Sequence, residues 1–165
     1  MEKRDIKSMT LEELQAELGS AGFPKFRAGQ VFSWLHKGAS CFEEMTDIPK
    51  DLRLRLAEAY EIACARAVRK RVSKDGTVKY LFQMNDGELI ESVLMSYHHG
   101  YSLCISTQVG CKMNCSFCAT GKSGFSRDLL PSEMLSQIQA AQLDGNIRIS
   151  NVVLMGMGEP LDNYE

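Results

Sequence analysis

Leu11, Leu14 and Leu18 recur at helical spacing directly after Thr10-Leu-Glu-Glu13, a stretch that reads as a capping box opening an amphipathic helix. Gly19 then offers a left-handed stop. Ala28, Val31, Phe32 and Leu35 form a second stripe, predicting a helix from about Lys25 to Lys37 that Gly38 ends. Trp34 lies at the edge of this stripe and is expected to pack into the core. A third helix begins near Pro49 and carries Leu52, Leu56, Ala59 and Tyr60.

From about Ala65 the period changes from helical to two. Val68, Val72, Val78, Tyr80 and Phe82 alternate with polar or basic residues, and Asp75-Gly76 and Asp86-Gly87 mark the turns. The pattern predicts three antiparallel strands, roughly 64 to 73, 77 to 84 and 88 to 95. Glu91 interrupts the third, and a carboxylate in such an apolar run must face solvent or sit in a polar site. After His98-His99-Gly100, which reads as a turn, a strand is expected from Tyr101 to Gln108. Pro131 opens a helix with Met134, Leu135, Ile138, Ala141 and Gln142 at helical spacing, ending near Asp144-Gly145. Ile149 to Met155 is near-continuously apolar, as parallel strands buried on both faces are. Strand, loop, helix and strand make one βαβ unit with a right-handed crossover.

A chain of 165 residues, 44% hydrophobic and 24% charged, has the composition of a soluble globular protein. No apolar run approaches the roughly 20 residues of a membrane span, and Met1-Glu-Lys-Arg-Asp has no hydrophobic signal segment. The expected compartment is a reducing cytoplasm, with no membrane partner.

The net charge of -2 is unevenly distributed: residues 1 to 63 carry nine basic and eleven acidic groups, and residues 80 to 165 carry four and nine. Between them, Arg66, Arg69, Lys70, Arg71, Lys74 and Lys79 face only Asp75. Arg69, Arg71 and Lys79 are expected to share the solvent face of the meander. A basic stripe in an acidic protein is a contact for a phosphate backbone, or else a solvated strand face.

The chemistry concentrates in Cys111-Lys-Met-Asn-Cys115-Ser-Phe-Cys118, three of six cysteines within eight residues. A C-x3-C-x2-C run can wrap three thiolates around one inorganic centre. A 4Fe-4S cluster usually takes four cysteines, so three leave one iron open to another ligand. Zinc is the alternative and needs a fourth ligand, from Cys104, His98 or His99, but no second short-spaced pair is present. Cys41 and Cys64 read as ordinary thiols, and a disulfide framework does not suit a chain without a secretory signal. Farther on, Gly156-Met-Gly-Glu-Pro160 lies at the carboxyl end of a predicted strand, where α/β folds place ligands.

These motifs resemble those of radical S-adenosylmethionine enzymes, with Phe117 as the aromatic before the third cysteine. Within that superfamily, Cys104-Ile-Ser-Thr-Gln-Val-Gly-Cys111, Cys115-Ser-Phe-Cys118-Ala-Thr-Gly and Gly156-Met-Gly-Glu-Pro-Leu161 resemble the RlmN family of adenosine C2 methyltransferases. The resemblance covers essentially the whole chain.

It implies an α/β fold: a partial radical-SAM (β/α) barrel, of which this is the first βαβ unit. Before it come a helical accessory, RNA-binding-like domain at 1–63 and a basic antiparallel β-meander at 64–96; the truncated radical SAM core occupies 97–165.

It implies a 4Fe-4S cluster on Cys111, Cys115 and Cys118. S-adenosyl-L-methionine is chelated to the open iron and held by Gly158 and Glu159. The electron donor is a protein such as flavodoxin or ferredoxin. The substrates are an adenosine of 23S rRNA at the peptidyl-transferase centre and one of tRNA next to the anticodon. One S-adenosylmethionine methylates a cysteine near the carboxyl terminus of the family, and a second yields the radical that activates that methyl group for addition to adenine. Cys104 resolves the resulting adduct by forming a disulfide, and Glu91 stands where the family places a proton acceptor.

The family continues through about four more βα units beyond this sequence, among them the methyl-carrying cysteine. The chain therefore reads as a fragment or truncated product, inactive alone, with uncovered strand edges and poor solubility after Tyr101. Adenosine C8 methylation of the related resistance type and a non-enzymatic, metal-stabilised RNA-binding module are the alternatives. Pro160 favours C2.

Overall fold

A computed structural model describes residues 3–164. The chain divides into two compact units, Met1–Ala63 and Cys64–Glu165.

The first unit holds strand β1 (Arg4–Asp5), helices α1 (Leu11–Ser20), α2 (Lys25–Lys37) and α3 (Lys50–Ala59), and strand β2 (Tyr60–Glu61). The Thr10–Glu13 capping box forms: the Thr10 amide donates to Glu13 at 2.7 Å and the Glu13 amide to the Thr10 hydroxyl at 3.2 Å. Gly19 does not end α1. The stop is Gly22, with φ of 85°, where the Phe23 amide donates to Leu18 and the Gly22 amide to Gly19, the paired bonds of a Schellman motif. Gly38 ends α2 in the same way, with φ of 99°.

Leu14, Leu18, Ala28, Val31, Leu35, Leu52 and Leu56 are the buried helix residues. Trp34 stays half-buried and donates its indole N–H to Asp47. The parallel pairing of β1 with β2 joins the two ends of the unit, a pairing that two-residue strands do not announce in the sequence.

The second unit is built on a five-stranded sheet of β3 (Arg66–Val72), β4 (Val78–Gln83), β5 (Leu89–Tyr97), β6 (Gly100–Cys104) and β9 (Ile149–Val153), in that order. The meander and the βαβ strands therefore share one sheet, because β5 pairs with β6. Between β6 and β9 run β7 (Gln108–Gly110), the short helix α4 (Ala119–Lys122), β8 (Phe125–Asp128) and α5 (Pro131–Gly145).

Tyr80, Phe82, Ile90, Leu94 and Leu103 line one sheet face, where Met134, Ile138 and Ala141 of α5 pack against them. Cross-strand pairing puts Leu81 opposite Glu91 and Val93 opposite Cys104. Since directly opposed residues share a side, the other face carries Leu81, Glu91, Val93 and Cys104.

Three expectations need correcting. Tyr101 to Gln108 is not one strand: β6 stops at Cys104, and the chain leaves the sheet at Ile105 to enter the separate β7–β8 ladder. Val68 does not alternate with its neighbours. It is the extra residue of a bulge between Ala67 and Arg69; beyond it Lys70 stands opposite Tyr80 and pairs with Asp144, while Arg69 and Arg71 lie on the Glu91 face. Lastly, β9 is not buried on both faces. It is the outer strand, and Val152 is exposed, as are Leu154 and Met155 beyond it.

Candidate functional site

The site begins where β6 ends. Ser106, fully buried, ties four segments together. Its hydroxyl donates to the Glu91 carbonyl at 2.6 Å and accepts from the Met157 amide at 2.9 Å. Its own amide and carbonyl are held by the Gln137 side chain of α5 at 2.9 and 3.0 Å. Gln137 Oε1 also accepts from the Ser92 hydroxyl at 2.7 Å. A glutamine facing a sheet is thus satisfied at both ends of its amide, as burial demands.

Gln108 is the second junction. Its Nε2 donates to Asp128 at 2.8 Å and Asp162 at 3.1 Å, while its Oε1 accepts from the Glu159 amide at 3.0 Å. The Thr107 amide donates to the Met157 carbonyl at 2.9 Å. The glycine turn at 156 to 159 is therefore strapped to residues 105 to 108. A Cβ on Gly156 would meet the Ile105 carbonyl oxygen at 2.6 Å, so the close approach requires glycine. Glu159 accepts from the Leu161 amide and opens a short 3-10 turn (Pro160–Asn163).

Immediately after β7 comes the cysteine loop, closed at its base by the β7–β8 ladder. The Cys111 amide donates to the Gly124 carbonyl at 2.9 Å. Gly110 has φ of 80°, and a Cβ there would lie 2.0 Å from that same carbonyl oxygen. Within the loop, the Cys118 amide donates to the Cys115 carbonyl and Asn114 adopts φ of 48°. Lys112 pairs with Asp162 at 2.8 Å and stands 4.5 Å from the Phe125 ring centre. That ion pair ties the loop to the turn after Glu159.

All six cysteines are free thiols. Amides of Gly121 and Thr120 hold the Cys118 thiol below its ordinary pKa, whereas burial pushes the Cys104 thiol up, partly offset by the Met155 amide. The thiolate is the metal-binding form, so the Cys118 thiol is shifted towards that form and the Cys104 thiol away from it. Among the described residues, no three His, Cys, Asp or Glu side chains are gathered closely enough to hold a metal ion. The donor set still suits an iron-sulfur group: three free thiols on one loop, one of them held below its ordinary pKa and Cys115 open to solvent. Phe117, between them, is 91% exposed. His98 and His99 lie in the β5–β6 turn, where His99 stacks on Tyr97.

Glu91 and Cys104 share the open sheet face as diagonal cross-strand neighbours, a relation that spans about 7–8 Å. Glu91 pairs with Lys79 at 2.8 Å. Sequence reasoning missed Ser106, Gln108, Gln137 and the Lys112–Asp162 pair. One signal was present: Gln137 lies three residues after Met134 and four before Ala141, a polar position on the core stripe of α5.

The family model described as "Ribosomal RNA large subunit methyltransferase N-terminal domain" matches residues 4–62. The chain is 52% identical to a protein of Lachnoclostridium phytofermentans named probable dual-specificity RNA methyltransferase RlmN, covering 99% of this chain and 47% of that one. A protein of the same name from Lachnospira eligens is 53% identical, covering 98% and 47%. The crystal structure of a radical SAM methyltransferase from Sphaerobacter thermophilus superposes with a TM-score of 0.88 at 41% identity, covering 98% of this chain and 49% of that one. The chain spans about half the length of the curated relatives it matches. Among the described residues no helix is long and apolar enough to cross a membrane.

Proposed function

The chain belongs to the RlmN family, matching the amino-terminal part of its members, and from that premise we propose that it forms the cluster-bearing half of a radical SAM RNA methyltransferase acting on C2 of adenosine in 23S rRNA and tRNA. The observation that carries this reading is the strapping of the Gly156–Glu159 turn onto Thr107 and Gln108. Two motifs some forty residues apart in sequence thereby meet at one end of the sheet.

Cys111, Cys115 and Cys118 would hold a 4Fe-4S cluster. With S-adenosylmethionine bound, the cluster supplies one-electron cleavage of the sulfonium. Gly158 would let the backbone approach the cofactor, and Glu159, whose Oε1 accepts from the Leu161 amide, would accept from its ammonium. Glu91 is the proton acceptor and Cys104 the resolving thiol. Burial pushes the Cys104 thiol further towards its protonated form, the form that a reserve thiol needs until it is deprotonated for attack. RNA is the substrate, and a flavodoxin- or ferredoxin-type protein the electron source.

Anaerobic reconstitution with iron and sulfide tests the reading. Near-stoichiometric 4Fe-4S, with an electron paramagnetic resonance signal that changes on adding S-adenosylmethionine, is expected. Stoichiometric zinc without iron would sink it.

A further inference from the structure

The side chains of Arg69 and Arg71 form no hydrogen bond or ion pair among the described residues, whereas those of the other described cations of β3 and β4 do. Arg66 donates to Gln83, Lys70 pairs with Asp144 and Lys79 with Glu91. Two residues apart on one strand, both free guanidiniums lie on the same side of β3. Arg71 stands opposite Lys79 and Arg69 opposite Leu81, which in turn opposes Glu91. Together these side chains line a cavity of about 170 Å³.

That volume is well below the roughly 300–1,000 Å³ of pockets that enclose a drug-sized molecule. It suits a single anionic group. Three cations against one carboxylate leave the cavity positive, and a guanidinium fork matches the oxygens of a phosphate better than a point charge does. Arg69 and Arg71 border a concavity that Glu91 also lines.

We propose that Arg69 and Arg71, with Lys79, form a subsite for one backbone phosphate of the RNA substrate, so that the neighbouring nucleotide is presented over the Glu91–Cys104 strip. The subsite rests on the RNA methyltransferase reading and adds where the substrate is anchored. Lys79 serves two anions: it holds Glu91 until a phosphate shares its charge.

The test uses the 165-residue chain and a labelled single-stranded RNA containing adenosine, with affinity measured by fluorescence anisotropy over a range of salt. Arg69→Gln and Arg71→Gln should each weaken binding several-fold and flatten the slope of log affinity against log salt by about 0.7. Arg148→Gln, in a residue outside the cavity, should leave the slope unchanged. Inorganic phosphate should displace RNA from the parent chain more effectively than chloride at equal ionic strength, and should lose that advantage in the double variant. Circular dichroism melts confirm that the variants remain folded.

Unchanged slopes in both arginine variants, or an equal loss in Arg148→Gln, would overturn the subsite while leaving iron-sulfur reconstitution untouched. Failure to take up iron, with the arginine effects intact, would instead sink the enzymatic reading and leave the phosphate site standing.

Discussion

Gly158 is packed so closely over Gln108 that a Cβ there would stand 2.7 Å from the Gln108 Cβ and 2.8 Å from its backbone nitrogen. With φ of 102°, Gly158 also occupies backbone space that other residues enter only under strain. Gly158→Ala should cost about 1–3 kcal/mol of backbone strain before the overlap is counted. Neither overlapping atom is the far end of a flexible side chain, so the turn itself must move. A lowered urea midpoint, together with weakened S-adenosylmethionine binding to the reconstituted chain, is the expected outcome.

Gln137→Leu removes the partner of the Ser92 hydroxyl and of the Ser106 amide and carbonyl. Each buried group left unpaired costs about 1–3 kcal/mol. The loss should exceed about 2 kcal/mol, read from the urea midpoint with an unchanged denaturant slope. Because Ser106 also holds Glu91 and Met157, amide exchange near both should rise.

Tyr60 makes the helical unit sensitive to alkali. Burial and the hydrogen bond to Glu17 push its pKa up from 10.0 to about 12. A group whose folded pKa is raised contributes stability that is whole below the unfolded value and lost as pH climbs through the folded one. The melting temperature should therefore fall between about pH 10 and pH 12. Tyr60→Phe should reduce that fall, as seen in thermal melts across this range.

Cys115→Ala and Cys104→Ala separate the two kinds of thiol. On the proposed roles, the first should lose most reconstituted iron, whereas the second should retain iron and sulfide at the parent level. Equal loss in both variants would move Cys104 into the ligand set. Iron and labile-sulfide assays on anaerobically reconstituted chains decide it.

Much of this molecule is written locally. The Thr10–Glu13 capping box, the Gly38 stop and the turns at Asp75-Gly76 and Asp86-Gly87 depend on near neighbours, and they form as their residue types dictate. The three closely spaced cysteines and the Gly-x-Gly-Glu turn are equally legible, because a short motif carries its own chemistry. Gly19 shows the limit. A glycine is permitted to end a helix, but the stop falls at Gly22, where two backbone hydrogen bonds close the Schellman motif.

What the tertiary structure alone decided is which distant groups meet. No local preference places Gln108 between Asp128, Asp162 and Glu159, or sets Gln137 across the chain at Ser106. Those pairings follow from burying polar groups that must then be satisfied by whatever lies opposite. The side of the sheet is likewise a long-range property. Arg69 and Arg71 join Glu91 because Arg69 pairs with Leu81 and Leu81 with Glu91, and that register, like the reversed facing of the residues before the bulge at Val68, is not fixed by sequence alternation alone. The sequence by itself determined where the cysteine loop lies; the fold decided that the loop is closed at its base by β7 and β8 and tied through Lys112 to the glycine turn, and that Glu91 and Cys104 share the open face of the sheet.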